Sequence, residues 1–83
     1  MQLGTLIKRY RERADLSQRA LGEAVGVSAT AIHAWETGTT IPDRSRVATL
    51  AAVLRIGEPG YAALERAAQI DAVSKGAVNA PAA

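Results

Sequence analysis

The sequence predicts an all-α domain built from five short helices. Apolar residues recur at intervals of three and four positions through most of the chain, which places them on one face of a helix. The 83 residues include no cysteine, so neither disulfides nor thiolate metal sites can support the fold. Apolar residues make up 48% of the chain and aromatic residues only 4%, a composition typical of a bundle rich in alanine and leucine.

The first helix is predicted from an apolar stripe near the N-terminus. Leu3, Leu6, Ile7, Tyr10 and Ala14 stand at positions i, i+3, i+4, i+7 and i+11. Basic side chains occupy much of the remaining circumference. The pattern is that of an amphipathic helix with one face toward the core.

The second and third helices are predicted at about 18–25 and 29–37. Ser17 and Ser28 each precede a helical pattern by one position and are typical N-caps. Gly26 lies where the first of these helices must end, and a left-handed backbone is cheap there only for glycine. Two short helices joined in this way form a helix-turn-helix, whose second helix can enter a DNA major groove.

Two further helices are predicted after this pair. Asp43 is a plausible N-cap for a fourth helix, whose apolar stripe is Val47, Leu50, Ala51 and Leu54. A fifth helix is expected at about 59–74, because Pro59 suits the first turn of a helix. Its apolar face is mostly alanine. Residues 76–83 have little to bury, and we expect a disordered tail there.

A set of residues in the central part of the chain stands at a characteristic spacing. The set is Leu16-Ser17-Gln18, Leu21-Gly22, Gly26-Val27-Ser28, Ile32, Trp35-Glu36, Gly38 and Pro42. It resembles the helix-turn-helix domain of the lambda-repressor/Cro superfamily, also called the XRE family. The resemblance covers residues 3–56 and implies a five-helix lambda-repressor-like bundle with the helix-turn-helix at helices 2 and 3. We therefore treat residues 1–75 as one DNA-binding domain, to which the fifth helix is an addition. Arg55 departs from the family pattern, which often has a glycine at that position.

The resemblance implies that duplex DNA is contacted by Gln18, Ala29, Thr30, His33 and Ala34. Ser28 is also expected in the DNA-binding set, and the hydroxyls and guanidinium groups that flank the third helix suit phosphate contacts: Thr37, Thr39, Arg44 and Arg46. Gln18 is expected to contact a phosphate, whereas Thr30 and His33 are expected at base edges. Ala29 and Ala34 can make only apolar contacts, so direct readout of bases should be sparse. The alternative for His33 is an ordinary exposed side chain, and for the threonines and arginines a solvated loop.

Three further residues are expected to have structural roles. By resemblance, Arg11 and Glu36 form a buried ion pair between helices, the alternative being two solvated surface charges. Trp35 could be a stacking platform for single-stranded nucleic acid. It shares a helix face with Ile32, however, so we expect it in the core.

These expectations combine into a functional hypothesis. The chain is expected to be a cytoplasmic transcriptional regulator, and more specifically a repressor. It is expected to bind double-stranded DNA as a homodimer on inverted-repeat sites. The dimer surface is expected on the fifth helix, at Tyr61, Leu64, Ala68 and Ile70, because the helix is too rich in alanine to be explained by burial in one monomer alone. The alternative is that the fifth helix docks onto the first helix. The alternative function is a protein-interaction module, such as an antitoxin-like or regulatory subunit.

Other functional classes find little support in the sequence. One histidine, no cysteine and no glycine-rich phosphate loop leave no nucleophile–base set, so we expect no enzyme and no cofactor or metal. No apolar run is long enough to span a membrane. The net charge of +2 permits nucleic-acid binding without arguing for it.

Overall fold

The computed structural model describes residues 2–74, which form five α-helices and no strand. The helices are α1 (Gln2–Arg13), α2 (Gln18–Val25), α3 (Ala29–Thr37), α4 (Arg44–Val53) and α5 (Glu58–Ser74). The all-α, lambda-repressor-like prediction is confirmed, with the helix-turn-helix at α2 and α3. The tail expected at 76–83 lies outside the described residues.

The helix boundaries follow from local capping. Ser17, Ser28 and Asp43 each accept a hydrogen bond from the backbone N–H three residues later, at 2.9, 3.1 and 2.9 Å. Gly26 ends α2 in the left-handed conformation, with a φ of 92°. Arg55 adopts a φ of 56° just after α4, a left-handed conformation that glycine adopts with less steric strain.

One apolar core receives side chains from all five helices. Its fully or nearly buried members are Leu3, Ile7, Leu21, Val25, Ile32, Trp35, Val47, Leu50, Ala51, Leu54, Leu64 and Ala67. Trp35 lies in this core at 7% exposure, which leaves no open ring face for a nucleobase to stack on. None of the helices in the described part of the chain is long and apolar enough to cross a membrane.

The fifth helix is an integral part of this core. Leu64 and Ala67 are 1% and 3% exposed, and the carboxylate of Asp71 is buried with them. Asp71 Oδ2 accepts a hydrogen bond of 2.9 Å from the backbone N–H of Leu3, in the first turn of α1. A carboxylate at this position satisfies a free N–H and lies at the positive end of the helix dipole. The assignment of Leu64 to a dimer surface was therefore wrong, because this side chain is already buried within the monomer.

The contact between α1 and α3 is unusually close. A Cβ on Gly4 would lie 2.6 Å from the carbonyl oxygen of Trp35, so only glycine allows the two backbones to approach in this way. Further along α1, Arg11 Nε and Nη2 donate to the two carboxylate oxygens of Glu36 at 2.6 and 3.1 Å. Arg11 Nη1 donates to the carbonyl of Leu16 at 2.9 Å.

The Arg11–Glu36 pair is largely removed from solvent. The two side chains are 12% and 4% exposed. The hydrogen bond to Glu36 raises the pKa of Arg11, and burial opposes this effect without cancelling it. Because the folded-state pKa is raised, the resulting stabilisation is fully present below the ordinary arginine pKa and is lost only at higher pH. The pair therefore holds α1 against α3 throughout the neutral range.

Replacing Asp71 tests whether α5 stabilises the start of α1. We expect Asp71→Ala to lower the free energy of unfolding by about 1–3 kcal/mol, because the buried N–H of Leu3 loses its acceptor. Asp71→Asn keeps an oxygen acceptor and should lose less. The exposed residue Gln69, on the same helix, provides the control variant Gln69→Ala, with an expected change within about 0.5 kcal/mol. Urea unfolding followed by circular dichroism measures all three. Equal stability of Asp71→Ala and wild type would contradict the role of this carboxylate.

Replacing Arg11 tests the inter-helix ion pair. Arg11→Met leaves the Glu36 carboxylate buried without its main partner and should cost about 3–5 kcal/mol of unfolding free energy. The double variant Arg11→Met/Glu36→Leu removes both charges and should recover most of this loss. Thermal and urea unfolding of the two single variants and the double variant give the coupling energy. An Arg11→Met protein that unfolds at the wild-type urea concentration would rule out a buried pair.

Candidate nucleic-acid interface

The third helix has one buried face and one open face. Ile32 is fully buried and Trp35 nearly so, and both anchor α3 to the core. Thr30, His33 and Thr37 are exposed on the other part of its circumference. A helix held by one side with polar groups on the other has the form that insertion into a major groove requires.

The start of α3 keeps polar groups that a ligand could contact. Ser28 Oγ accepts the N-cap bond from the Ala31 N–H, and its hydroxyl hydrogen can still donate. Ala29 and Ala34 are half-buried. The exposed hydrogen-bonding side chains near this end of the helix are those of Ser28, Thr30 and His33.

Gln18, the first residue of α2, contacts two side chains of α3. Its Nε2 donates to Glu36 Oε1 at 3.0 Å and lies 3.5 Å from His33 Nδ1. From sequence, Gln18 was expected at a phosphate, and His33 and Glu36 were expected to have separate roles. A signal for their association was present, because residues three apart share one face of a helix. The expected phosphate contact of Gln18 stays a prediction, and its amide nitrogen is already engaged within the protein.

Two exposed hydroxyls contact each other at the C-terminal end of α3, one on the last residue of the helix and one in the loop that follows. Thr37 Oγ1 lies 3.0 Å from Thr39 Oγ1 and donates to the carbonyl of Ala34 at 3.2 Å. Gly38 stands between them with a φ of 82°, which lets the chain turn sharply out of the helix. The two threonines thus lie together at the C-terminal end of α3.

The two arginines at the start of α4 differ in their surroundings. Arg44 is exposed. Arg46 is half-buried, and its Nη1 lies 3.5 Å from the carbonyl of Val25, at the C-terminal end of α2. A cation there complements the negative end of the α2 dipole. Arg44 is therefore the freer of the two to reach a phosphate.

Residues 2–74 contain no cluster of side chains that could bind a metal ion. No group of three or more histidine, cysteine, aspartate or glutamate side chains in that part of the chain could hold an ion. The buried polar side-chain atoms described there all have hydrogen-bond partners.

Comparison with known proteins identifies the family. A family model described as a helix-turn-helix domain matches residues 2–64, which is more than half of the chain. No curated protein and no solved structure gives a significant match. The matched region contains α1 to α4 and the first part of α5, and so includes the whole interface described above. The chain therefore belongs to the helix-turn-helix domain family, a class of DNA-binding domains, and its five-helix fold agrees with the lambda-repressor-like resemblance.

Proposed function

We propose that the domain binds duplex DNA sequence-specifically, with α3 in the major groove, and that it regulates transcription as a repressor. The observation that carries this proposal is the open face of α3. Thr30 and His33 project from a helix that Ile32, Trp35 and the Arg11–Glu36 pair fix to the rest of the domain. A rigid support of this kind lets short side chains reach base edges in a defined register.

Few side chains on α3 can read bases directly. Thr30 offers a hydroxyl and a methyl group, and His33 offers one ring nitrogen as donor or acceptor. The two half-buried alanines allow close approach without hydrogen bonds. Sequence-dependent shape and flexibility of the DNA would then contribute a large share of the specificity.

Repression follows from binding alone. A domain that occupies an operator overlapping a promoter blocks access to it, so the proposal requires neither catalysis nor a cofactor. We place this activity in the cytoplasm, where bacterial and phage DNA is transcribed.

A homodimer is part of the proposal, with its surface moved along α5. Ile70 and Val73 are 42% and 63% exposed, and they are the large apolar side chains that the described residues leave exposed. They stand three positions apart and so share a face. Two copies related by a two-fold axis would bury this patch against itself and present two α3 helices to half-sites about 34–36 Å apart. If the domain is instead a protein-interaction module, the same patch would bind its protein partner.

Selection of binding sites from a random duplex library tests the function. We expect enrichment of one inverted-repeat sequence over the starting pool. A library that shows no enrichment, together with stoichiometric capture of one protein, would favour the interaction module instead.

Variants of α3 and α4 should separate base contacts from phosphate contacts. We expect Thr30→Ala and His33→Ala to reduce the preference for the selected site over random DNA by about 2- to 12-fold each, the range of one hydrogen bond. Arg44→Gln should weaken binding to both DNAs by similar factors, because a phosphate carries no sequence information. Competition binding at fixed salt measures the ratios. Unchanged ratios in both α3 variants would mean that α3 does not read bases.

A charge placed on the α5 patch should prevent assembly. We expect Val73→Glu to convert the dimer to a monomer and to shorten the protected DNA to one half-site, because the carboxylate would be buried at the interface. Ala52→Glu, on the exposed side of α4, adds the same charge elsewhere and is the matched control. Sedimentation velocity and footprinting decide the outcome. A wild-type protein that is monomeric while protecting a full inverted repeat would contradict this surface.

A further inference from the structure

We infer that Gln18 is a positioning residue that holds His33 as a donor at Nε2, and that His33 in this form selects guanine. The inference deepens the proposed function and rests on it. It is carried by three contacts that join α1, α2 and α3: the Arg11–Glu36 pair, the Gln18–Glu36 bond and the Gln18–His33 contact.

Glu36 fixes which end of the Gln18 amide faces inward. Both carboxylate oxygens of Glu36 accept from Arg11, so the group is ionised and can only accept further hydrogen bonds. The bond of 3.0 Å from Gln18 Nε2 meets this requirement. A flipped amide would place its oxygen against a carboxylate oxygen, with no proton between them. The amide orientation is therefore set by the ion pair.

The same amide nitrogen then determines how His33 is protonated. Nε2 of Gln18 carries two hydrogens, of which one is directed to Glu36 and the other is available for His33 Nδ1 at 3.5 Å. A nitrogen that faces a donor acts as an acceptor and carries no proton itself. In a neutral imidazole the remaining nitrogen must then carry the proton. His33 thus presents Nε2–H on the side of the ring away from Gln18.

A donor at Nε2 discriminates among bases in the major groove. Guanine offers two neighbouring acceptors there, N7 and O6. Adenine offers N7 beside an amino donor, thymine offers O4 beside a methyl group, and cytosine presents the N4 amino donor, so guanine is the base with acceptors alone for Nε2–H. The opposite tautomer of His33 would present an acceptor and would favour an amino group instead. Gln18 need not touch a base itself. By fixing the tautomer of His33, it would determine which base His33 prefers as a hydrogen-bond partner.

This role differs from the phosphate contact that the family resemblance implies for Gln18. With the amide nitrogen engaged by Glu36 and His33, the end of the amide that remains is an oxygen. An amide oxygen cannot donate to a phosphate oxygen. A phosphate contact would affect all DNA sequences equally, whereas positioning of His33 affects the preference at one base pair.

The first test uses the free protein and does not depend on DNA. His33 is the only histidine in the chain, so its ring nitrogens can be assigned without ambiguity in long-range ¹H–¹⁵N spectra. At a pH where the ring is neutral, we expect a protonated Nε2 and an unprotonated Nδ1. His33→Ala removes the acceptor at Nδ1, so it should shift the Gln18 side-chain amide signals. A predominant Nδ1–H tautomer, or Gln18 amide signals that are the same in wild type and His33→Ala, would overturn the positioning role.

The second test uses the selected DNA site with 7-deazaguanine, which lacks the N7 acceptor, at each guanine in turn. For wild type we expect one position where guanine is preferred over other bases by about 2- to 12-fold and where 7-deazaguanine weakens binding. Gln18→Leu, which can neither donate nor accept, should lose most of that preference. In a His33→Ala background, Gln18→Leu should cause no further change in the preference for guanine. Thermal unfolding of each variant verifies the fold.

The control is Arg44→Gln, which should lower affinity for every sequence and retain the guanine preference. A Gln18→Leu protein that behaves in this same way would overturn the inference in favour of a phosphate contact. A protein that binds no duplex at all would overturn the proposed function and the base preference together. The spectra of the free protein would still decide whether Gln18 positions His33.

Discussion

The ion pair between Arg11 and Glu36 is the interaction on which the helix-turn-helix part of the structure depends. It joins α1 to α3 with two hydrogen bonds, and the third arm of the guanidinium holds the carbonyl of Leu16 just before α2. The Arg11 side chain thus fixes both α3 and the entrance to α2. The Glu36 carboxylate also accepts a hydrogen bond from Gln18, so the ion pair is connected to a side chain that lies next to the exposed His33.

The first helix is consequently held at both ends by polar contacts within an apolar core. Asp71 of α5 satisfies the Leu3 N–H at its start, and Glu36 of α3 pairs with Arg11 near its end. Between these points Gly4 allows the α3 backbone to approach closely. A substitution of Asp71 or Glu36 would therefore weaken the attachment of α1 to α5 or to α3. This arrangement makes α5 part of the domain that supports α3, rather than an appendage used only for assembly.

Local features of the fold could be predicted from sequence, and contacts between distant residues could not. The caps at Ser17, Ser28 and Asp43 act within one turn, so the residue and its position suffice to predict them. The bond from Leu3 to Asp71 spans 68 residues, and no periodicity marks it. Docking of the fifth helix within one chain, which buries Leu64, was only the alternative expectation, because a helix rich in alanine has a weakly apolar face. A single leucine and the small size of its neighbours let α5 pack closely instead.

The candidate site shows the same division. The capped turn and the open face of α3 followed from spacing, whereas the contacts of Gln18 with Glu36 and His33 depend on how α2 crosses α3. The resemblance supplied Arg11 and Glu36 as partners, which spacing alone does not. Arg46 was expected at a phosphate, and its Nη1 lies 3.5 Å from the Val25 carbonyl at the end of α2, a contact that its sequence position does not mark. Its contact with DNA stays a prediction.

In the proposed complex, α3 presents its outer face to duplex DNA while the Arg11–Glu36 pair holds it to α1. Backbone amide chemical shifts recorded during titration with the selected duplex locate this contact. We expect the largest changes on residues 28–39 and at the start of α2, with small changes along α5 in each protomer. Changes confined to α5, with α3 unaffected at saturating duplex, would contradict it.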